Sequence, residues 1–226
     1  MSNTETTAPD EPSAPQSEKQ SDADKRLEIV AAVLLGLATV AIAWGAYQAN
    51  LWSGLQDKAL TQSANLTTEA IGAYGEADAL VSLDQTLFVE IVLLLNADDA
   101  DDADDAALDS VDFLLTNMTA EGEQAVTEWF ENDLDLPFTE EYYSEFYAVG
   151  DDLFAQSEAK FEEGSQNNTN GDKYVLVATI LASVLFFAGI STVLTSSRTR
   201  TVLLAGGALL WLGSVIYIAT LPVTSL

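Results

Sequence analysis

This 226-residue chain carries 36 acidic and only 8 basic residues, a formal net charge of −28. That balance argues against nucleic acid as a partner, because binding it needs a basic face that displaces counterions. The chain has no cysteine and no histidine, which excludes disulfides, thiolate metal sites and the commonest general base. We therefore expect no metal, no cofactor and no enzymatic activity.

The acidic excess also indicates the salt concentration in which the protein folds. A charge of this size opposes compaction through self-repulsion at ordinary salt, where the Debye length is about 8 Å, whereas molar salt shortens it to about 3 Å. Scarce lysine and abundant aspartate resemble the proteins of halophilic archaea. This resemblance implies a high-salt environment.

The chain starts with a segment that cannot form a core. Residues 1–26 contain three prolines among Ser, Thr, Asp and Glu, with no large apolar residue after Met1, so we predict a disordered acidic tail. The apolar stretch that begins at Leu27 is long enough to span a membrane. It should be retained, because a signal peptide has a shorter apolar core.

Three apolar stretches without charged side chains, 29–48, 175–194 and 202–221, are each about the 20 residues that a helix needs to cross a bilayer. They predict transmembrane helices at 27–49, 174–194 and 202–222. We therefore expect an all-α integral membrane protein that is embedded in the lipid bilayer. Ion pathways usually need charged groups inside the spans, so a channel or secondary transporter is disfavoured.

Basic residues predict the orientation. Five of the eight lie on one side of the predicted spans: Lys19, Lys25, Arg26, Arg198 and Arg200. The last two fall in a short basic loop predicted at 195–201. By the positive-inside rule the amino terminus and this loop are cytoplasmic, and the domain at 50–173 and the C-terminal end at 223–226 are extracytoplasmic. Lys58, Lys160 and Lys173 count against this orientation.

Residues 50–173 predict an acidic helical domain inserted between the first two spans. Apolar residues recur at helical spacing in four stretches, 55–81, 80–94, 108–129 and 143–161. Pro137 separates the last two. We expect an antiparallel bundle whose first and last helices continue into the spans, with the aromatic residues near Pro137 in its core rather than in a ligand cage.

Two further patterns have a structural and a functional interpretation. The acidic run 98–105 lacks the spacing and the turn glycine of a calcium-binding loop, so we interpret it as a solvated connector. Small residues recur along the spans: Ala32, Gly36, Thr39, Ala43, Ala178, Ala182, Gly189, Gly206 and Gly213. We expect them to pack the spans together, and contact between copies is the alternative.

Three N-x-T sequons fall in the predicted outside domain, at Asn65, Asn117 and Asn167. Such sequons are acceptors for asparagine-linked glycans when they lie outside the cell. They agree with the predicted orientation but occur readily by chance in a chain rich in Ser and Thr.

Aromatic and amide residues cluster where the first span ends: Trp44, Tyr47, Gln48, Trp52 and Gln56. Trp and Tyr settle at headgroup depth, so the first interpretation is an interfacial belt. A specific lipid or partner site is the alternative.

The same run, Ala-Trp-x-x-Tyr-Gln-Ala-x-x-Trp-x-Gly-x-Gln over residues 43–56, resembles the signature of an uncharacterised family of prokaryotic membrane proteins. Pro137-Phe138, Tyr143 and the blocks 171–175 and 185–189 resemble that family in the same order. The resemblance implies three spans with a helical insert, and it carries no assigned activity.

We therefore expect a non-enzymatic, membrane-anchored interaction or scaffold protein that presents its helical domain to an envelope partner or to copies of itself. The alternative is an extracytoplasmic sensor or ligand-binding module that acts through a partner. An enzyme that acts on lipid through carboxylates is a distant third.

Overall fold

The computed structural model describes residues 22–97 and 105–225, and within them the chain forms helices and no strands. Five helices follow one another in these residues: α1 (Asp22–Ala97), α2 (Asp105–Thr116), α3 (Ala120–Asn132), α4 (Glu140–Val193) and α5 (Ser197–Thr220). The predicted all-α fold class is confirmed.

Three of these helices are long and apolar enough to cross a membrane: α1 with 76 residues, α4 with 54 and α5 with 24. Each contains a window of 18 residues with a mean hydropathy of at least 2.1. The protein is therefore a multi-pass membrane protein. The helical continuation of the first span beyond residue 49 is also confirmed, because α1 runs without a break to Ala97.

Three predicted boundaries differ in the structure. Helix α1 begins at Asp22, so residues 22–26 are helical and only residues 1–21 of the expected tail lie outside the described chain. Helix α5 begins at Ser197, so Arg198 and Arg200 lie in its first turn, not in the loop expected at 195–201. Residues 98–104 of the acidic run also lie outside the description, and Asp105 begins α2.

The chain divides into two compact units. Of the described residues, 22–49 and 172–223 form what we call the span unit, and 50–97, 105–171 and 224–225 form the central unit. Helices α1 and α4 each contribute to both.

Local sequence explains the breaks between the shorter helices. Thr119 has extended backbone angles (φ −64°, ψ 160°), and its hydroxyl oxygen accepts a hydrogen bond from the Gly122 N–H, which caps α3. The apolar pattern expected at 108–129 is thus two helices. Helix α3 ends at Asn132, and the residue after it, Asp133, has a left-handed backbone (φ 53°) that stops the helix. Pro137 lies in the non-helical connection to α4, as predicted.

In the span unit, one face of each helix is buried. The buried residues are Ala31, Leu34, Ala38, Gly45 and Gln48 on α1, Tyr174, Val177, Leu181, Val184, Ala188 and Ser191 on α4, and Arg200, Leu204, Gly207 and Ser214 on α5. Gly207 lies where the three helices meet. A Cβ atom there would lie 3.2 Å from Leu34 Cδ2 and 3.8 Å from Val184 Cγ1.

The small residues expected to pack the spans together are mostly on the other face. Gly36 and its neighbours Ala32, Thr39 and Ala43 are exposed, and no atom lies within 4 Å of a Cβ placed on Gly36. Because α1 carries small residues on two adjacent faces, their presence alone could not identify the packed one.

In the central unit, α1 packs against α4, and buried residues recur every seven residues along both helices. On α1 these are Ser63, Ala70, Ala77, Asp84 and Ile91, all buried. The facing helix has small residues at the same interval, Gly150, Ser157 and Gly164, also buried. A Cβ on Gly150 would lie 2.6 Å from the Tyr74 ring, so the glycine permits this close approach.

The hydrophobic core of the central unit lies between the last turns of α1 and helices α2 and α3. Ile91, Val111, Met118 and Val126 are buried there, and partly buried apolar residues surround them. Phe88 contacts Trp129 and Phe138 edge to face, with ring centroids 5.1 and 5.6 Å apart. The expectation that aromatic residues near Pro137 pack in a core is met by these rings, although Phe130 and Phe154 are exposed.

Candidate functional site

The most unusual residue of the central unit is Asp84, a carboxylate that is completely buried (0 % exposed) on α1. Its Oδ1 accepts a hydrogen bond from the Thr119 backbone N–H at 2.8 Å. Its Oδ2 accepts one from the Thr119 hydroxyl at 2.5 Å and one from the Tyr142 hydroxyl at 2.8 Å. Three donors therefore compensate for the loss of hydration that burial of a charge entails.

These bonds join three helices at one point. Asp84 belongs to α1, Thr119 is the residue that caps α3, and Tyr142 lies in the first turn of α4. Since the Thr119 hydroxyl donates to Asp84 and accepts from the Gly122 N–H, the cap and the interhelical contact form a continuous network. We call Asp84, Thr119, Gly122 and Tyr142 the Asp84 cluster.

Gly122 is part of this cluster because no side chain fits there. A Cβ on Gly122 would approach all three carboxyl atoms of Asp84, with Oδ1 only 2.7 Å away. The buried carboxylate therefore lies directly against the backbone of α3.

Electrostatics keep Tyr142 in its neutral form. Burial raises the pKa of its phenol well above the ordinary value, and the hydrogen bond to the Asp84 carboxylate raises it further. At neutral pH the hydroxyl is therefore a donor to Asp84 and not a nucleophile or base.

Beside this cluster lies a cleft of about 150 Å³. It is lined by Glu121, Gln124, Ala125, Glu128, Leu134, Pro137, Thr139, Glu141, Tyr142 and Glu145. The four glutamates make it attractive to cations and repellent to anions. Among the residues that the structure describes, no group of three or more acidic side chains is arranged to hold a metal ion.

The end of α3 and its connection to α4 expose large apolar side chains, one of which, Leu134, lines the cleft. Phe130 is 45 % exposed, Leu134 41 % and Leu136 68 %. Exposed apolar groups rimmed by polar residues are typical of protein interaction surfaces. We call Phe130, Leu134 and Leu136 the α3–α4 surface.

Further hydrogen bonds of the central unit also join helices. The Tyr74 hydroxyl donates to Asp151 and the Tyr147 hydroxyl to Asp78, both at 2.6 Å. These bonds to carboxylates raise the pKa of both phenols. The Ser157 hydroxyl donates to the Ser63 carbonyl at 2.9 Å, so polar side chains connect α1 with α4 at several places.

The residues expected to form an interfacial belt are not on one surface. Trp44 and Tyr47 are exposed, with ring centroids 6.0 Å apart, whereas Gln48 is buried (1 % exposed) and Trp52 and Gln56 are half-buried. The belt itself stays a prediction.

The three sequons differ sharply in accessibility. Asn65 is exposed on α1, Asn117 is exposed in the turn between α2 and α3, and Asn167 is buried in α4 (9 % exposed). Sequence alone made them equivalent.

In the span unit, Arg200 is buried (6 % exposed) on α5 and pairs with acidic residues of α1. Its Nη1 lies 3.5 Å from Asp24 Oδ1, and its Nη2 lies 3.9 Å from Glu28 Oε1. The first turns of α1 and α5 are therefore at the same end of this unit. At its other end the Tyr174 hydroxyl donates to the Pro222 carbonyl at 3.1 Å.

Sequence reasoning did not identify the Asp84 cluster. The available signal was a single aspartate at the third of four heptad positions, Ala70, Ala77, Asp84 and Ile91, that otherwise carry only apolar side chains. A charged residue on a buried face needs partners, but nothing in the sequence shows that Thr119 and Tyr142 supply them.

No protein-family model matches this sequence, and neither a curated protein nor a solved structure matches it. The resemblance to an uncharacterised family of prokaryotic membrane proteins stays a prediction.

Proposed function

We propose that this protein is a non-enzymatic membrane anchor that presents its central unit outside the cell to an envelope protein or to copies of itself. The observation that carries this proposal is the α3–α4 surface, in which Phe130, Leu134 and Leu136 are exposed and Leu134 lines the cleft that contains four glutamates. A surface of this kind suits a partner with apolar and basic side chains.

The Asp84 cluster supports the same proposal. Its hydrogen bonds hold α1, α3 and α4 together, and its Tyr142 lines the same cleft as Leu134 of the α3–α4 surface. An interaction surface is more effective when its support is rigid, since less conformational entropy is lost on binding.

The orientation rests on the basic residues. Arg200 contacts Asp24, so the first turns of α1 and α5 share one end of the span unit, as a three-span topology requires. Lys25, Arg26 and Arg198 belong to the same two turns or their immediate continuation. The positive-inside rule then favours a cytoplasmic location for that end and an extracytoplasmic one for the inserted helical bundle.

We also propose that the protein works in high salt. Its net charge of −28 repels compaction unless counterions screen it. Thermal unfolding measured from molar down to 0.1 M salt should show a lower midpoint at each step, and a salt-independent midpoint would contradict this.

A sensor is the second candidate, favoured by the contact between the cleft and Tyr142. A small organic cation bound there would touch a residue that is hydrogen-bonded to α1. Such a cation should raise the melting temperature of the wild type and not of a Glu141→Gln/Glu145→Gln variant. Equal shifts in both would remove the cleft from consideration.

The test of the main proposal is purification of the tagged full chain from its native membrane in mild detergent at molar salt, with mass spectrometry and measurement of its oligomeric mass. We expect a reproducible partner or a defined oligomer. A Leu134→Ser/Leu136→Ser variant should lose it. The matched control is Val149→Ser/Phe154→Ser, which removes two exposed apolar side chains elsewhere on the central unit.

Retention of the partner by the Leu134→Ser/Leu136→Ser variant would show that another surface binds it. A wild-type protein that is monomeric and unaccompanied would contradict the proposal as a whole.

A further inference from the structure

The three sequons can be separated by what surrounds each acceptor. An asparagine-linked glycan is large and hydrated, so it is compatible with the folded protein only where the asparagine side chain reaches solvent. Asn65 and Asn117 meet this requirement, and Asn167, at 9 % exposed, does not.

Asn117 has the most suitable local structure. It lies in the turn after α2, two residues before the α3 cap, and it is followed by the buried Met118. Turns at the surface of a folded domain are accessible to modifying enzymes.

The hydrogen bonds of Asn117 survive modification. Its amide nitrogen Nδ2 donates to the Phe113 carbonyl at 2.7 Å. An unmodified amide has two N–H groups and a glycosylated one keeps one, so the bond to Phe113 can persist.

The Asn117 sequon overlaps the Asp84 cluster, because its threonine is Thr119. The Thr119 hydroxyl donates to Asp84 and accepts from the Gly122 N–H. A transferase that must contact this hydroxyl can do so only before the cluster forms or when it opens. Modification at Asn117 therefore requires the Asp84 cluster to be open.

We infer that Asn117 and Asn65 are asparagine-linked glycosylation sites and that Asn167 is not. The glycan donor would be a polyprenyl phosphate or diphosphate oligosaccharide. The Asn Nδ2 forms a bond to the anomeric carbon of the sugar, the bond from that carbon to the phosphate oxygen breaks, and the lipid phosphate leaves. One amide proton is released to the solvent or to the departing phosphate.

This inference rests on the proposed extracytoplasmic location of the central unit, so the experiment measures orientation separately. The chain has no cysteine, and single-cysteine variants can therefore be labelled without background. Ala148→Cys tests the central unit, and Thr199→Cys tests the opposite side; both positions are exposed. An impermeant maleimide on intact cells should label the first variant and not the second.

Glycosylation is measured by intact mass after expression of the full chain in a high-salt host that glycosylates asparagine sequons. We expect an increase that corresponds to two glycans. Asn117→Gln and Asn65→Gln should each remove one, the double variant should remove both, and Asn167→Gln should leave the mass increase unchanged. Thr119→Ser should keep the glycan at Asn117, since serine preserves both the sequon and the cap.

The outcomes separate the two claims. Labelling from outside without a mass increase overturns the inference and leaves the orientation intact. Labelling of Thr199→Cys in place of Ala148→Cys overturns both. A mass increase that persists in the double variant, or that disappears in Asn167→Gln, overturns the assignment of sites.

Discussion

Polar side chains serve different purposes in the two units of this protein. In the span unit, hydroxyl groups donate mostly to carbonyls of their own helix, as Thr179 does to Val175 and Ser191 to Ala188. In the central unit many hydroxyls do the same, as Thr86 does to Ser82, but others reach across to another helix, as Ser157 does to Ser63 and Tyr142 to Asp84. The helices of the span unit are therefore held mainly by the fit of their surfaces, and those of the central unit by directed hydrogen bonds as well.

The environment explains this difference. A lipid-facing hydroxyl must satisfy its donor locally, because lipid offers no partner. In water, two helices with many small residues bury little apolar area, so interhelical hydrogen bonds supply specificity that packing alone would not. The variants below test whether the span unit depends on close packing and the central unit also on hydrogen bonds between helices.

Asp84→Ala should have the largest effect. It leaves the Tyr142 hydroxyl and the Thr119 N–H buried without an acceptor, and we expect a loss of about 3–5 kcal/mol in the free energy of unfolding. Thermal or denaturant unfolding in detergent at molar salt measures this. Asp112→Ala, which removes an exposed carboxylate from α2, should change stability by less than about 0.5 kcal/mol. Equal losses in the two variants would mean that the cluster contributes nothing specific.

Gly122→Ala should cost about 2 kcal/mol, because the new Cβ would overlap the Asp84 carboxylate and overpacking outweighs the gain in helix propensity. The control is Gly72→Ala on α1, where no atom lies within 4 Å of an added Cβ. There the same substitution should stabilise the protein by about 0.5–1 kcal/mol. Stabilisation by both substitutions would show that an added methyl group fits between α3 and the Asp84 carboxylate.

Gly207→Leu addresses the span unit. Leucine at this position would push against Leu34, Val184 and Phe187, so we expect a loss of about 1–2 kcal/mol. Gly213→Leu on the same helix places the side chain where no atom lies within 4 Å, and stability should hardly change. Comparable losses for the two leucines would show that packing at Gly207 is not what holds α5.

Tyr142→Phe should have the smallest effect at neutral pH, about 1 kcal/mol, because one hydrogen bond is lost while the ring still packs. Its effect on pH dependence is more informative. The pKa of Tyr142 is raised in the folded state, so its contribution is fully present below about pH 10 and is lost as the pH rises through the folded pKa.

Above pH 10 the free energy of unfolding of the wild type should therefore fall more steeply than that of Tyr142→Phe, by up to about 1.4 kcal/mol per pH unit. Tyr74 and Tyr147 are present in both proteins and cancel in the difference. Parallel curves for wild type and variant would mean that the Tyr142 phenol ionises as easily in the folded state as in the unfolded one.

The sequence by itself determined the fold class and the number of spans. Long apolar stretches without charges satisfy their backbone as helices in lipid, and Pro137 disfavours a helix through the residues before it because it lacks an N–H and clashes with the preceding turn. Such features depend on the local chain, and for that reason they could be read without a structure.

Only the tertiary structure decided which faces pack and where the polar groups meet. Gly36 and Gly207 are both small residues in apolar helices, yet one is exposed and the other lies between three helices. Asp84 acquires its role from Thr119 and Tyr142, which are 35 and 58 residues away along the chain. Hydrogen bonds and packing contacts over such separations depend on how the helices assemble, and no local sequence pattern encodes that assembly.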